Sequence, residues 1–206
     1  MKRLEMIFLI LSILLYLMIN SSCKKEETTT KNIFYYNDCQ YEIPKGFIAS
    51  FYENDSLELF AHFLCLYSGN RNIMRSNDTI ILTGEGDMIF LIFLTSTEFI
   101  SSSTYNYAPS DELISNSFEG FFFFDTTEEC LGTVSFIEEG NILIQKKSTN
   151  YIISIDCIDN LGGKLSGKYD GVLSIEYLGN FLNTKNHDLF IFNESIDIFK
   201  LTNILK

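Results

Sequence analysis

The sequence has no tryptophan, only 2 prolines and only 2 histidines, and basic residues are scarce. The 15 Lys and Arg against 27 Asp and Glu give a formal net charge of −12, and an acidic surface repels a phosphate backbone. We therefore expect no nucleic-acid partner. The two histidines, His62 and His187, leave few bases for a Ser or Cys triad, and no Gly-x-Ser-x-Gly motif is present. The sequence therefore predicts a protein that is not an enzyme.

Metal and cofactor signatures are also missing. His62 stands three residues before Cys65, but no close pair of ligands accompanies it, and paired-cysteine zinc spacings are absent. The carboxylates of Asp156, Asp159 and Asp170 suggest a calcium site between turns, although solvated turn acids explain them more simply. We predict no metal and no cofactor.

The residues that are abundant favour β-structure. There are 19 Phe and 11 Tyr, and 46% of the chain is hydrophobic, which is enough for a folded core. Short apolar and alternating runs recur between turn residues without helical patterns between them. We predict an all-β fold, an antiparallel β-sandwich or flattened β-barrel of about eight to ten strands.

The N-terminus has the composition of an export signal. Lys2 and Arg3 precede an apolar run over residues 7–19 that falls short of the roughly 20 residues a membrane-spanning helix needs. An uncleaved membrane anchor is the alternative to a cleaved export signal. Two small residues, Ser21 and Ser22, stand just before Cys23, as a cleavage site requires.

This N-terminus resembles a bacterial lipoprotein signal, in which the cysteine after the cleavage site carries diacylglycerol. Asn20 departs from the usual aliphatic residue, but the site is similar to the looser ones of Bacteroidota lipoproteins. Lys25, Glu26 and Glu27 resemble the surface-export tag of that group; the alternative is a soluble linker. The resemblance implies lipidation of Cys23 and anchoring in the outer membrane, facing the cell exterior. It divides the chain into a signal peptide (1–22), a lipidated cysteine with polar tether (23–31) and a single all-β domain (32–206).

Local patterns predict individual strands. Residues 79–82 and 88–94 form a hairpin around the Gly-rich turn 84–87, and residues 132–137 and 142–146 form another around 138–141. Residues 56–67 fit either a helix or a strand, and strand is favoured. The runs 88–94 and 118–124 are apolar on both faces and should be covered on both. Residues 101–117 form the longest predicted loop.

The C-terminal half resembles small Bacteroidota-type all-β surface lipoproteins with a β-meander punctuated by glycine and tyrosine. The matching residues are Gly132, Val134, Tyr151, Ile153, Leu165, Gly167, Tyr169 and Gly171. These residues have structural roles. The resemblance therefore implies a fold and a cellular location, and it identifies no functional site.

Four cysteines remain if Cys23 carries lipid, and outside the cytosol they could form two disulfides with three possible connectivities. These are Cys39, Cys65, Cys130 and Cys157. Their wide, irregular spacing favours the alternative that they are small buried apolar residues.

The leading functional hypothesis is a non-enzymatic module that binds protein or glycan through loops at one end. Without tryptophan, an aromatic platform for glycan must use Tyr or Phe, and Tyr105 and Tyr107 are the candidates in the predicted loop. A lipocalin-like carrier, a hydrolase with an internal cavity and a structural component of a surface complex are the alternatives. Ser56, Thr79 and Thr126 stand in Asp-Ser/Thr tripeptides that resemble the O-glycosylation pattern of Bacteroidota.

Overall fold

The computed structural model describes residues 32–54, 59–69, 71–76, 79–109, 112, 114–125, 132–180 and 190–192. Contacts divide the chain into two units, Met1–Thr30 and Lys31–Lys206, and all described residues belong to the second. The predicted signal peptide and the tether up to residue 31 lie outside them. The fold is all-β, as predicted, and the described residues contain no helix.

Strands account for most of the described chain. They are β1 Ile33–Tyr36, β2 Cys39–Glu42, β3 Lys45–Asn54, β4 Leu59–Tyr67, β5 Asn72–Ser76, β6 Thr79–Thr83, β7 Met88–Thr95, β8 Ser103–Tyr107, β9 Ser117–Phe124, β10 Thr133–Lys147, β11 Asn150–Asp159, β12 Lys164–Val172, β13 Ser174–Asn180 and β14 Phe190–Phe192. The strand favoured for residues 56–67 is confirmed as β4 over its described part, Leu59–Tyr67. The predicted loop over 101–117 contains β8, which is a correction.

Eleven strands form one curled, mostly antiparallel sheet in the order β13-β3-β4-β7-β9-β8-β10-β11-β12-β1-β2, with a further β9–β10 pairing. Only the β13–β3 and β8–β9 pairs of this sheet are parallel. A second sheet has the order β14-β6-β5. The predicted eight to ten strands were therefore too few, because short strands such as β5 and β8 lack a clear pattern.

Two short connections explain the curl of the large sheet. Ile43 and Pro44 alone join β2 to β3, and Leu173 alone joins β12 to β13, although these strands lie towards opposite ends of the sheet order. One or two residues span at most about 10 Å, so the two ends of the sheet must approach each other. The sheet forms a half-barrel.

The two faces of the sheet hold separate cores. One cluster joins residues from strands at both ends of the sheet, including Phe34 of β1, Tyr41 of β2 and Ile48 of β3, so it occupies the concave face. A smaller cluster on the convex face contains Phe47, Ala49, Ala61, Phe63, Cys65, Met88, Phe90, Ile92 and Phe121. Every residue of β7 except Leu94 is buried. The expectation that the runs 88–94 and 118–124 are covered on both faces is confirmed.

The predicted hairpin of residues 79–82 with 88–94 is wrong. β6 pairs with β5 and β14, whereas β7 pairs with β4 and β9. Between them Gly84 and Gly86 adopt φ values of +93° and +130° and direct the chain from one sheet to the other. Hydrophobic pattern identified both strands, but it carries no information about which strand becomes the partner.

The predicted hairpin with a turn at 138–141 is also wrong, because β10 continues through it as one strand of 15 residues. Its first part pairs with β9 and its second with β8 along the same edge. Gly140 has a φ of +125°, and the register with β11 shifts between Ile137 and Glu139. A bulge therefore bends the strand where a turn was expected.

Candidate functional site

Most of the residues predicted for anchoring and modification cannot be placed. Cys23, Lys25, Glu26, Glu27, Ser56 and Thr126 lie outside the described residues. Thr79 is the first residue of β6. In the described part of the chain, no helix has the length and hydropathy to cross a membrane.

The aromatic platform predicted at Tyr105 is ruled out by burial. The Tyr105 ring lies edge-on to Phe93, with ring centroids 4.8 Å apart, and is fully buried. Its hydroxyl donates to the Ser101 carbonyl oxygen at 3.0 Å. Tyr107 is partly buried and packs edge-on against Phe118. A ligand cannot stack on Tyr105 without opening the core, so only Tyr107 keeps its predicted role as a hypothesis.

The cysteines behave in two ways. Cys39, on the end strand β2, is disulfide-bonded, and Cys130 lies outside the described residues. Cys65 and Cys157 are free and buried, and burial raises the pKa of both thiols, that of Cys157 to about 12. The interpretation as small buried apolar residues is confirmed for Cys65 and Cys157 and wrong for Cys39.

Asp159 is the centre of a buried hydrogen-bond cluster at the β11–β12 turn. Its carboxylate accepts hydrogen bonds from the hydroxyls of Tyr36 (2.7 Å) and Ser135 (2.5 Å). It also accepts bonds from the backbone N–H groups of Leu161 (3.0 Å) and Gly163 (2.6 Å). Burial alone would raise the pKa of Asp159, but these four donors together lower it. The carboxylate is therefore ionised and held by protein donors.

This geometry contradicts a calcium site at Asp156, Asp159 and Asp170. The lone pairs of Asp159 are committed to protein donors, and Asp156 forms an exposed ion pair with Lys164 at 3.1 Å. No group of three or more His, Cys, Asp or Glu residues in the described segments could hold a metal ion. The simpler explanation, solvated turn acids, holds for Asp156 but not for Asp159, which is buried.

His62 forms a second polar cluster inside the core. Its Nδ1 lies 2.8 Å from Ser50 Oγ, and its Nε2 lies 2.8 Å from Thr95 Oγ1 and 3.1 Å from the Thr97 carbonyl oxygen. Thr95 already donates its hydroxyl proton to Thr97, so the Nε2–H of His62 donates and Nδ1 accepts from Ser50. Burial lowers the pKa of His62 to about 4, although the hydrogen bond to the Thr97 carbonyl acts in the opposite direction and raises it. The imidazole is therefore neutral at physiological pH.

A third cluster surrounds Arg71, which is buried beside the Gly-rich segment 84–87. Arg71 Nε donates to the Gly86 carbonyl oxygen at 2.7 Å, and the guanidinium lies 5.1 Å from the centre of the Phe123 ring. Burial raises the pKa of nearby Asp87.

In the part of the chain that the structure describes, the Tyr41 hydroxyl is the buried side-chain polar atom without a hydrogen-bond partner.

These three clusters were not predicted, because each joins distant parts of the chain. Tyr36 and Asp159 are separated by 123 residues and His62 and Thr95 by 33, so no local motif marks them. No protein-family model, curated protein or solved structure matches the chain. In the described residues, the buried polar groups of the three clusters bind neighbouring strands and turns of the domain.

Proposed function

We propose that this chain is an exported lipoprotein, anchored in the outer membrane through acyl chains on Cys23 and facing the cell exterior, whose all-β domain is a non-enzymatic binding module for a protein or glycan. The observation that carries the proposal is the disulfide at Cys39. Disulfides persist in oxidising compartments and are rare in the cytosol. The disulfide thus agrees with the export signal and the surface-export tag, and with the resemblance to Bacteroidota-type lipoproteins.

The binding surface we propose is the turn end of the domain, defined by the β1–β2 turn at Asn37 and Asp38 and the β11–β12 turn at residues 160–163. Leu161 is 73% exposed at the tip of the second turn. The bonds from Leu161 and Gly163 to buried Asp159 hold that turn in place. A loop held by a rigid scaffold presents its side chains without a large ordering cost on binding.

An exposed tyrosine replaces Tyr105 as the aromatic contact for glycan. Tyr35, on the convex face of β1, is 45% exposed. It lies across from Ser166, two residues from Lys164, whose backbone N–H donates to the Asn37 side chain in the β1–β2 turn. Tyr35 therefore lies next to the turn end. A sugar ring could stack on Tyr35 while the neighbouring polar side chains bind its hydroxyls.

We also propose that the half-barrel is a flattened barrel and not a sandwich. The two short connections, through Ile43 and Pro44 and through Leu173, support this, because they keep opposite ends of one sheet adjacent. A sandwich would instead place two separate sheets face to face.

The anchor and the ligand are tested separately. Membrane fractionation of the wild-type chain and of Cys23→Ala tests the anchor: we expect the variant to become soluble, and tight membrane association of the variant would refute lipidation. Glycan arrays and pulldowns with the Cys23→Ala chain test binding. Leu161→Asp and Tyr35→Ala should weaken any interaction found, whereas Glu98→Gln, at an exposed position of the connection between β7 and β8, is the surface control. Binding that all three variants retain would place the site elsewhere.

One observation favours a hydrolase as the second candidate function. The Ser50 hydroxyl donates to a neutral histidine, His62, as a nucleophile does to its base. Burial opposes this assignment, since His62 is fully buried and Ser50 is nearly so. A fluorophosphonate probe distinguishes a hydrolase from a binding module: labelling of the native protein that Ser50→Ala abolishes would establish a reactive serine, and we expect no labelling.

A lipocalin-like carrier would need an open lumen, but aromatic side chains such as Phe93, Phe118 and Phe122 pack into the concave face.

A further inference from the structure

We propose that the end of the domain opposite the turn end rests directly on the lipid leaflet that holds the Cys23 acyl chains. The inference rests on the proposed anchoring through Cys23. It identifies a lipid-docking surface, called here the tether end, formed by Lys147, Lys168, Val172 and Ile175 beside Asn32. The occupant is the headgroup region of the leaflet, with its phosphates and the adjoining acyl chains.

The registers of the strands place these residues together. Asn150 pairs with both Lys147 of β10 and Val172 of β12, so the three form a row across neighbouring strands about 5 Å apart. Lys168 lies on the same face of β12 as Val172 and pairs with Ile33 of β1. Ile175 follows Val172 by three residues, past buried Leu173. The cross-strand row and the short connection from Val172 to Ile175 therefore place these residues at one corner of the half-barrel.

The described chain begins at the same corner. Asn32 is the first described residue, and its side-chain oxygen accepts a hydrogen bond from the backbone N–H of Asp170 at 2.8 Å. Asp170 is two residues from Val172 on β12. Eight residues separate Cys23 from Asn32, and this stretch spans at most about 30 Å when fully extended. An anchored domain thus meets the membrane surface with its tether end nearby.

The chemistry of this corner suits a leaflet. Val172 is 64% exposed and Ile175 is 57% exposed, so two aliphatic side chains three residues apart in the chain face solvent. Lys146 and Lys147 end β10 here, and Lys168 adds a third cation in a protein with a net charge of −12. The nearby acids are Glu42, across from Ile33, Asp170, and Glu176, which follows Ile175 in β13. Aliphatic side chains bordered by lysines bind at the boundary between headgroups and acyl chains.

The turn end offers the contrast. It carries Asp38, Glu138 and Glu139, and its Lys164 is already paired with Asp156. β11, which is ten residues long, separates the two ends by about 30 Å. Docking by the tether end would therefore hold Leu161 away from the membrane, towards the surroundings of the cell.

The absence of tryptophan allows a direct test, because a single introduced indole is the only one in the protein. The full lipidated chain carrying Val172→Trp is reconstituted into vesicles of phosphatidylethanolamine and phosphatidylglycerol, with and without brominated phosphatidylcholine. We expect brominated lipid to lower its emission by about twofold, since a docked side chain lies within about 10 Å of the headgroup–acyl boundary. Leu161→Trp is the matched control at the other end and should not be quenched. Ile175→Trp serves if Val172→Trp does not fold.

Flotation of the same vesicles separates failure of docking from failure of anchoring. Flotation with equal quenching at both ends, or with none at Val172→Trp and Ile175→Trp, overturns the docking proposal and leaves the anchor intact. A wild-type chain that does not float overturns the anchor and the docking with it. Adding Lys147→Glu and Lys168→Glu to Val172→Trp should reduce the quenching without changing flotation; unchanged quenching would remove the lysines from the proposal.

Discussion

Acid should destabilise this domain through His62, and the size of the effect follows from its surroundings. The imidazole is fully buried between Ser50, Thr95 and Thr97, and burial lowers its pKa from 6.5 to about 4. The unfolded chain therefore takes up a proton at a pH where the folded chain does not. The stabilisation is fully present above pH 6.5 and is lost as the pH falls from 6.5 towards 4.

The lowered pKa of His62 determines how much folding free energy is lost in acid. A difference of about 2.5 pKa units corresponds to about 3 kcal/mol once both states are protonated, and about 2 kcal/mol of this is lost between pH 7 and pH 5. Other groups titrate in the same range, and the carboxylates of an acidic protein are the main ones. A comparison with a variant that lacks only the His62 titration removes their contribution.

The assay is urea unfolding of the Cys23→Ala chain, followed by circular dichroism, with and without His62→Gln. Glutamine can accept from Ser50 and donate to Thr97 but does not titrate. The free energy of unfolding of the parent should fall relative to His62→Gln by about 2 kcal/mol between pH 7 and pH 5. The same change at His187 is the control, and that variant should behave like the parent because it retains His62.

Parallel pH profiles for the parent and His62→Gln would refute the reasoning, because the imidazole would then have the same pKa folded and unfolded. Proton NMR gives an independent measurement if His62→Gln is too unstable to analyse. The ring signals of His62 should still report a neutral imidazole at pH 5. Titration near pH 6.5 would show that water reaches the ring.

Three further predictions concern residues with distinct structural roles. Gly140→Ala should lower the free energy of unfolding by about 3 kcal/mol, because φ is +125° and the new Cβ would meet the Asp156 carbonyl oxygen. Gly162→Ala, also at positive φ but in open space, should cost only about 1 kcal/mol in the same urea assay; equal costs would contradict the close approach. Asp159→Asn should cost about 3 kcal/mol through its buried hydrogen bonds, whereas exposed Asp156→Asn should stay within about 0.5 kcal/mol; a silent Asp159→Asn would mean that the turn does not need the charge. Cys39 should resist alkylation until it is reduced, and the two buried free thiols should react only after unfolding; mass spectrometry of alkylated peptides checks both, and a reactive Cys39 in unreduced protein would remove the disulfide.

The strands were easier to predict than their pairing. The alternation in β11 and the continuous apolar runs of β7 and β9 report how many faces of a strand are covered, and that information is local. The partner of a strand is decided by the whole sheet. β6 pairs with β5 in the second sheet although β7 follows it directly, and Gly140 continues β10 where a turn seemed the natural outcome.

The candidate functional residues also differ in what local sequence can predict and what only the tertiary structure decides. Tyr105 was predicted to be accessible because Ser, Tyr and Asn surround it in the sequence, yet its ring fills the concave core beside Phe93. Asp159 looked like one more acid in a turn. Its role depends on hydroxyls from β1 and β10, which only the curl of the sheet brings to it.

By itself the sequence determined the all-β class, the coverage of β7 and β9 on both faces and the prediction of a lipid address at Cys23, because each depends on residues that are neighbours along the chain. The tertiary structure decided the half-barrel, the neutral buried His62, the ionised Asp159 and the corner where Lys168 and Val172 lie beside Asn32. These depend on contacts across the sheet, since burial and hydrogen-bond partners, unlike hydrophobic pattern, exist only after distant strands have paired.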